Sequence, residues 1–316
     1  MYFLGIETGG SKSTGVLTDT VGSEVRVHNG PPGNISVLGQ KAWTKILKGI
    51  LDELLSAREL KAVQSATLGV AGAGRAAEKQ ALRDSAKALG LKEVCVMTDA
   101  ELFHYSVHGD ESGMVLIAGT GSVCLAREKG GVYRQFGGWG YLLGDEGSGY
   151  ALGRAAIRVA LAESAESRGH CALTQAVFNH YGVSTPSDLV TAVFSSANPQ
   201  KMIASSARLV CDYALQDDAT ALECIHRTAE SLQRLCVAAT TALSKSGKPF
   251  RIGFGGGLLH DNSPVKQALE HLLSTDYRPV ATSRLPAVAG VMRALLESGH
   301  AVPDLFLERV EHLASG

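Results

Sequence analysis

The chain opens on an apolar run, YFLGI, breaks at the glycine-containing turn ETGGSKS, and resumes with TGVLTD; a third run, EVRVH, follows a turn at 21–24. Short strand-forming runs punctuated by glycine and small polar residues predict three consecutive strands, a β-meander. Over 39–60 the spacing changes, with Ile46, Ile50, Leu54 and Leu55 recurring at the helical interval. The run ATLGVAGAG at 66–74 then predicts a buried strand ending in a glycine loop, 76–89 a helix, and VCVMTD at 94–99 another strand. Strand, helix and strand in alternation imply parallel pairing.

At 113–126 the opening pattern returns: MVLIAGTGSVCLA is again strand, glycine turn with a hydroxyl residue, and strand. A structural duplication is therefore expected, with a first domain over 1–117 and a second over 118–316. A glycine-rich loop at 137–149 precedes a helix at 150–163, Ala-rich helical stretches at 172–181, 200–216 and 218–245, and a strand and loop, FRIGFGGGLLHDN, at 250–262. Helical spacing over 287–298 and an amphipathic stretch at 305–313 complete the pattern.

Composition changes this picture little. A length of 316 residues exceeds the roughly 250–300 at which one core stops growing, in keeping with two domains. A formal net charge of −1 offers no basic field for nucleic acid. The start lacks a basic segment followed by a long apolar one, and no run approaches the ~18 apolar residues of a membrane span, so a cytoplasmic protein is expected. Six scattered cysteines without a CxxC read as reduced and mostly buried thiols, and the histidines as forming no zinc site.

Glycine is the outlier: 36 residues against the ~7% usual in proteins. They cluster at 5–15, 69–74, 119–121, 137–149 and 253–257. A glycine turn lets backbone N–H groups surround phosphate oxygens. Neither 7–13 nor GTGS matches the GxxxxGK[ST] or GxGxxG patterns, and either alone reads first as a hairpin turn. Three such loops, each after an apolar strand, favour phosphate binding.

This arrangement resembles the actin/Hsp70/hexokinase superfamily over nearly the whole chain. The resemblance implies an α/β, two-domain actin-like ATPase (ribonuclease H-like) fold with a duplicated β-meander, flanking helices and ATP in the interdomain cleft. It places a first phosphate loop at Glu7, Gly9, Gly10 and Ser11, a second at Gly119, Thr120, Gly121 and Ser122, and an adenosine loop at Gly255, Gly256 and Gly257. The stretch GGWGYLLGDEGSGY at 137–150, following IAGTGSVC, is similar to the N-acetylglucosamine kinase branch of the BadF/BadG/BcrA/BcrD ATPase family. That branch implies transfer of the ATP γ-phosphate to the sugar 6-hydroxyl, ATP and Mg²⁺ as cofactors, and a homodimer acting on a small sugar, with neither nucleic acid nor membrane as partner.

Such transfer needs a metal-bound triphosphate in line with the hydroxyl and a carboxylate to take its proton. Asp99 ends a buried strand, where open α/β sheets place ligands, and the resemblance makes it the base; capping a helix over 100–107 is the alternative reading. Glu7 is the expected Mg²⁺ partner through water. Among substrate positions the resemblance gives Asn34, Ala73, Gly74, Trp139, Gly140 and Asp145, with Asp145 accepting from sugar hydroxyls. Local alternatives remain for Asn34, a turn former, and Trp139, a core residue. Ala73 stands where the animal enzyme carries a serine, which removes one hydroxyl from the acetamido side. A glucosamine or broad hexosamine or hexose kinase is the nearest alternative. An acyl-CoA dehydratase activator is the more distant one, and it would require cluster-facing cysteines.

Overall fold

The computed structural model describes residues 1–165, 171–281 and 284–314. Two compact units emerge, one of Met1–Asp110 with Thr282–Gly316 and one of Glu111–Ala281. The expected boundary at 117/118 thus falls at 110/111, because the strand around 113–118 pairs wholly within the second unit. The last stretch of chain belongs with the first unit.

Unit 1 begins with β1 (Tyr2–Thr8), β2 (Ser13–Asp19) and β3 (Val25–Gly30), continues through α1 (Ile35–Leu54), α2 (Ala57–Leu60), β4 (Val63–Val70), α3 (Ala76–Ala88) and β5 (Glu93–Thr98), and reaches α4 (Asp99–His108). Its sheet runs β3-β2-β1-β4-β5, antiparallel across the meander and parallel from β1 to β5. Alternation along β1 splits its side chains between two layers. Leu4 and Ile6 pack with Trp43, Leu47 and Ile50 of α1 and Leu82 of α3. Phe3 faces the other way.

Unit 2 comprises β6 (Gly113–Ala118), β7 (Ser122–Arg127), β8 (Arg134–Gly137), α5 (Gly149–Ala165), α6 (Ala172–Tyr181), α7 (Pro186–Phe194), α8 (Pro199–Ser205), α9 (Ala207–Ala214), α10 (Ala219–Thr240), β9 (Phe250–Gly255), α11 (Pro264–Leu272) and β10 (Tyr277–Val280). Its sheet order, β10-β9-β6-β7-β8, repeats that of unit 1 strand for strand, with the same antiparallel meander and the same parallel extension. The duplication read in the sequence is present. Its core joins Met114, Leu116 and Cys124 to Leu152 of α5, Leu232 and Cys236 of α10 and Leu269 of α11.

The chain then returns to unit 1 as α12 (Pro286–Glu297) and α13 (Asp304–Ala314). Ala287, Val288 and Val291 of α12 and Phe306 of α13 cover Phe3 and Val16. Contact at the centre of this layer is backbone on backbone. A Cβ at Gly5 would stand 2.0 Å from the Ala287 carbonyl oxygen, and one at Gly290 3.1 Å from the Gly5 Cα. Glycine at position 5 is required for that approach, and Gly290 keeps it close. Among the described residues no helix is long and apolar enough to cross a membrane.

Candidate active site

In unit 1 three loops meet at the carboxyl ends of β1 and β4. The Gly9 carbonyl accepts from the Gly33 amide at 2.9 Å, the Thr8 carbonyl from the Ala71 amide at 2.9 Å, and the Ala71 carbonyl from the Ile35 amide at 3.0 Å. This ties the turn after β1 to the segment holding Asn34 and to the glycine loop after β4. The turn itself closes through the Gly9 amide on the Lys12 carbonyl at 2.9 Å, leaving Gly10 and Ser11 exposed. Beneath it, the buried Trp43 indole donates to the Thr8 hydroxyl at 3.1 Å. Gly33, which the sequence reading did not single out, belongs to the same knot: a Cβ there would stand 2.6 Å from that of Thr8. Its signal was the turn-forming PPGN itself.

Asn34 caps α1, its Oδ1 accepting from the Ser36 amide at 2.9 Å. The local role considered for it is therefore real, and it places the side chain beside Gly72, where a Cβ would approach Oδ1 to 2.7 Å. Ala73 is different. Its methyl is fully buried in the core of unit 1, so this position presents backbone, and Gly74 beside it is exposed.

Asp99 follows β5, two strands across from β1. The capping role considered for it belongs to Thr98: the Thr98 hydroxyl accepts from the Glu101 amide at 3.0 Å, and the Glu101 carboxylate accepts from the Thr98 amide at 2.8 Å. This reciprocal box leaves the Asp99 carboxylate to local backbone amides, that of Ala100 at 3.0 Å and its own. Burial raises Asp99 above the usual carboxylate range, against the pull of those two amides and with the Glu101 charge adding to the rise. Burial likewise pushes Glu7 up to about 7, with the Asp99 charge adding to the rise and the Lys12 ammonium opposing it. Two carboxyls of raised affinity for protons thus share one end of one sheet.

Unit 2 builds a second cluster at the corresponding strand ends. The GTGS turn joins β6 to β7, with the Gly119 amide on the Gly121 carbonyl at 2.9 Å and Thr120 exposed. Start-of-helix amides hold it: Gly149 donates to the Gly119 carbonyl at 2.7 Å and Tyr150 to that of Thr120 at 3.2 Å. Ser122 donates through its hydroxyl to the Glu146 carbonyl at 2.7 Å and through its amide to Asp145 Oδ1 at 3.4 Å. Asp145 is 5% exposed and has φ 64°. Burial raises its pKa, against the amides of Ser122 and Gly140 that bond it. A Cβ at Gly121 would meet its Oδ2 at 2.8 Å. Asp145 is therefore a clasp on the glycine turn as well as a candidate ligand. Trp139 is 65% exposed, which removes the core reading, and neighbouring Gly140 has φ 84°.

The third glycine loop abuts the second. Gly256, at φ 87°, lies so close to β6 that a Cβ would stand 2.4 Å from the Ala118 carbonyl oxygen, which also accepts from the Leu258 amide at 3.0 Å. Gly256 and Gly257 are exposed and Leu258 and Leu259 are buried as anchors. Sequence-named positions thus gather in two sets, one per unit: Glu7, Gly9, Gly10, Ser11, Asn34, Ala73, Gly74 and Asp99, and Gly119–Ser122 with Trp139, Gly140, Asp145 and Gly255–Gly257.

The cysteines and histidines add no third set. Cys124 and Cys236 lie side by side in the core of unit 2 as free thiols. The HxxxH spacing of His104 and His108, overlooked in the sequence, puts their rings 4.8 Å apart on the buried side of α4. Among the described residues no group of three or more His, Cys, Asp or Glu is arranged to hold a metal.

Residues 4–298 match the BadF/BadG/BcrA/BcrD ATPase family. The chain belongs to this family. Among its relatives, an N-acetylmuramic acid/N-acetylglucosamine kinase of Clostridium acetobutylicum is 29% identical over 88% of this chain and 92% of its own. An N-acetyl-D-glucosamine kinase of Dictyostelium discoideum is 30% identical over 60% of this chain and 63% of its own. A solved Chromobacterium violaceum structure, proposed to be an N-acetylglucosamine kinase, superposes with a TM-score of 0.72 at 23% identity, covering 92% of this chain and 98% of its own. That likeness establishes the shared fold.

Proposed function

We propose that this family member is an ATP-dependent sugar kinase that phosphorylates the 6-hydroxyl of N-acetylglucosamine, with Asp99 as the base. The observation that carries the reading is the pairing of Thr98 and Asp99: Thr98 caps α4, which leaves the Asp99 carboxylate for chemistry at a strand end shared with Glu7 and the Asn34 and 71–74 loops. Burial raises its proton affinity, which suits a group that must take a hydroxyl proton as the oxygen attacks phosphorus. Asn34 and the backbone of Ala73 and Gly74 orient the sugar, Trp139 offers it a flat apolar wall, and the glycine turns at Gly9–Ser11 and Gly119–Ser122 present amides to the phosphates. Gly255–Gly257 flank the nucleoside. The names of the relatives support an amino sugar as the substrate.

Mg²⁺ fits the donor set. Glu7, whose carboxyl is pushed up to about 7 by burial and by Asp99 against the pull of Lys12, would hold the ion through water, and the ion's charge would favour its ionised form. When bound, the ion supplies neutralisation of phosphate charge.

The test is a coupled ADP-release assay over N-acetylglucosamine, N-acetylmuramic acid, glucosamine and glucose, run on the wild type and Asp99→Asn. N-acetylglucosamine should be turned over well and glucose poorly, and Asp99→Asn should bind both substrates yet lose ~10²–10⁴ in kcat. Equal kcat/KM for glucose would remove the amino-sugar assignment. A near-normal rate in the variant would remove the base.

A further inference from the structure

Unit 2 carries a basic hollow that the glycine loops do not use. Arg251 of β9 and Arg278 of β10 are register partners in a parallel ladder, so their side chains leave the sheet on one face. Phe250, Ile252 and Tyr277 point to the other, into the core. Both arginines are exposed, and with Pro279, Val280 and Ala281 they line a cavity of about 370 Å³.

Like charges abreast on a ladder repel. Elsewhere Arg26, Arg75, Arg227 and Arg293 each hold a carboxylate, but among the described residues neither Arg251 nor Arg278 does. Asp276, just before β10, is engaged by Lys248. An added strand is not the missing partner, since Pro279 removes an amide from β10, the edge strand. The glycine loop begins at Gly255, four residues beyond Arg251, or roughly 13 Å along the strand.

We propose that Arg251 and Arg278 bind a phosphate monoester of a small molecule, at a site distinct from the glycine loops. Two guanidinium forks side by side match the oxygens of a dianion. The cavity is of small-ligand size and exceeds what a bare phosphate fills, with Pro279, Val280 and Ala281 completing its lining. This assignment does not rest on the kinase reading.

Calorimetric titration of the full chain with inorganic phosphate, glucose 6-phosphate and N-acetylglucosamine 6-phosphate tests it, in the wild type, Arg251→Gln/Arg278→Gln and Arg251→Lys/Arg278→Lys. Beyond any equivalent held at the catalytic site, the wild type should bind one equivalent of monoester that the glutamine variant loses or binds at least about tenfold more weakly, with the lysine variant between them because it keeps charge without the fork. Turnover of the glutamine variant measured without added product should match the wild type. Tighter binding of a sugar phosphate than of inorganic phosphate in the equivalent that the glutamine variant loses confirms a monoester site. Identical stoichiometry and affinity in wild type and glutamine variant would overturn the proposal, as would a wild-type response to monoester no greater than to chloride at equal ionic strength.

Discussion

Glu7 and Asp99 stand at the ends of two strands of one sheet, and burial together with the charge of Asp99 lifts the Glu7 carboxyl from the ordinary 4.5 to about 7 against the pull of Lys12. Between those values the folded chain keeps a proton that the unfolded chain has released. Stability from this group is therefore full below about pH 4.5, falls as pH rises, and is gone above about pH 7. Glu7→Gln has no such proton to lose. Urea unfolding without nucleotide or metal should show the variant gaining on the wild type between pH 4.5 and 8, by roughly 1–3 kcal/mol. Parallel pH profiles would contradict the raised carboxyl.

Asp145 joins two demands at one position, a left-handed backbone at φ 64° and an acceptor for the Ser122 amide. Asparagine meets both, since it tolerates that conformation and keeps a carbonyl oxygen. Alanine meets neither. Asp145→Ala should lose about 1–3 kcal/mol in denaturant unfolding and raise KM for ATP by loosening the GTGS turn, with Asp145→Asn milder on stability. An alanine variant as stable as the asparagine one would dismiss the clasp.

Substitution at the α12 contact should be asymmetric. A methyl at Gly5 would sit 2.0 Å from a carbonyl oxygen, one at Gly290 3.1 Å from its nearest atom. Gly5→Ala is expected to cost about 3 kcal/mol or more, and Gly290→Ala about 1 kcal/mol. Urea midpoints rank them, and limited proteolysis should cut Gly5→Ala first within 284–314.

The two tryptophans separate structure from surface. Trp43 is fully buried and hydrogen-bonded, whereas Trp139 is 65% exposed. Trp43→Ala should lose ~3–5 kcal/mol, and Trp139→Ala should stay within about 0.5 kcal/mol while weakening sugar binding. Thermal unfolding together with sugar titration distinguishes them, and a large stability loss at Trp139 would contradict its exposure.

Strand–glycine–strand repetition made the meanders and their duplication legible, because apolar runs next to glycine turns carry both period and punctuation. Short elements carried neither. β8 and β10 are four residues each, and Pro279 inside β10 argues against a strand except at an edge. α7 and α11 start at Pro186 and Pro264 behind Thr185 and Ser263 caps, a signal that was present and unread. The helix expected over 200–216 breaks at Ser206 into α8 and α9. Residue types at strand ends flagged Glu7 and Asp99, but only tertiary structure shows that Thr98 is the cap and that Ala73 turns inward. Composition could not reveal the Arg251–Arg278 pair, since parallel register between distant strands is not written in either one.

α12 is also a matter of timing. Residues 286–297 leave the ribosome after both sheets are complete, so until then Phe3, Gly5 and Val16 lack the layer that covers them. Unit 2, continuous from Glu111 to Ala281, has all its own residues earlier. Nascent chain thus carries a finished second half while the first, though made earlier, waits for its last helix. A truncation after Ala281 would spare the domain nearest the cut and strip the one farthest from it in sequence.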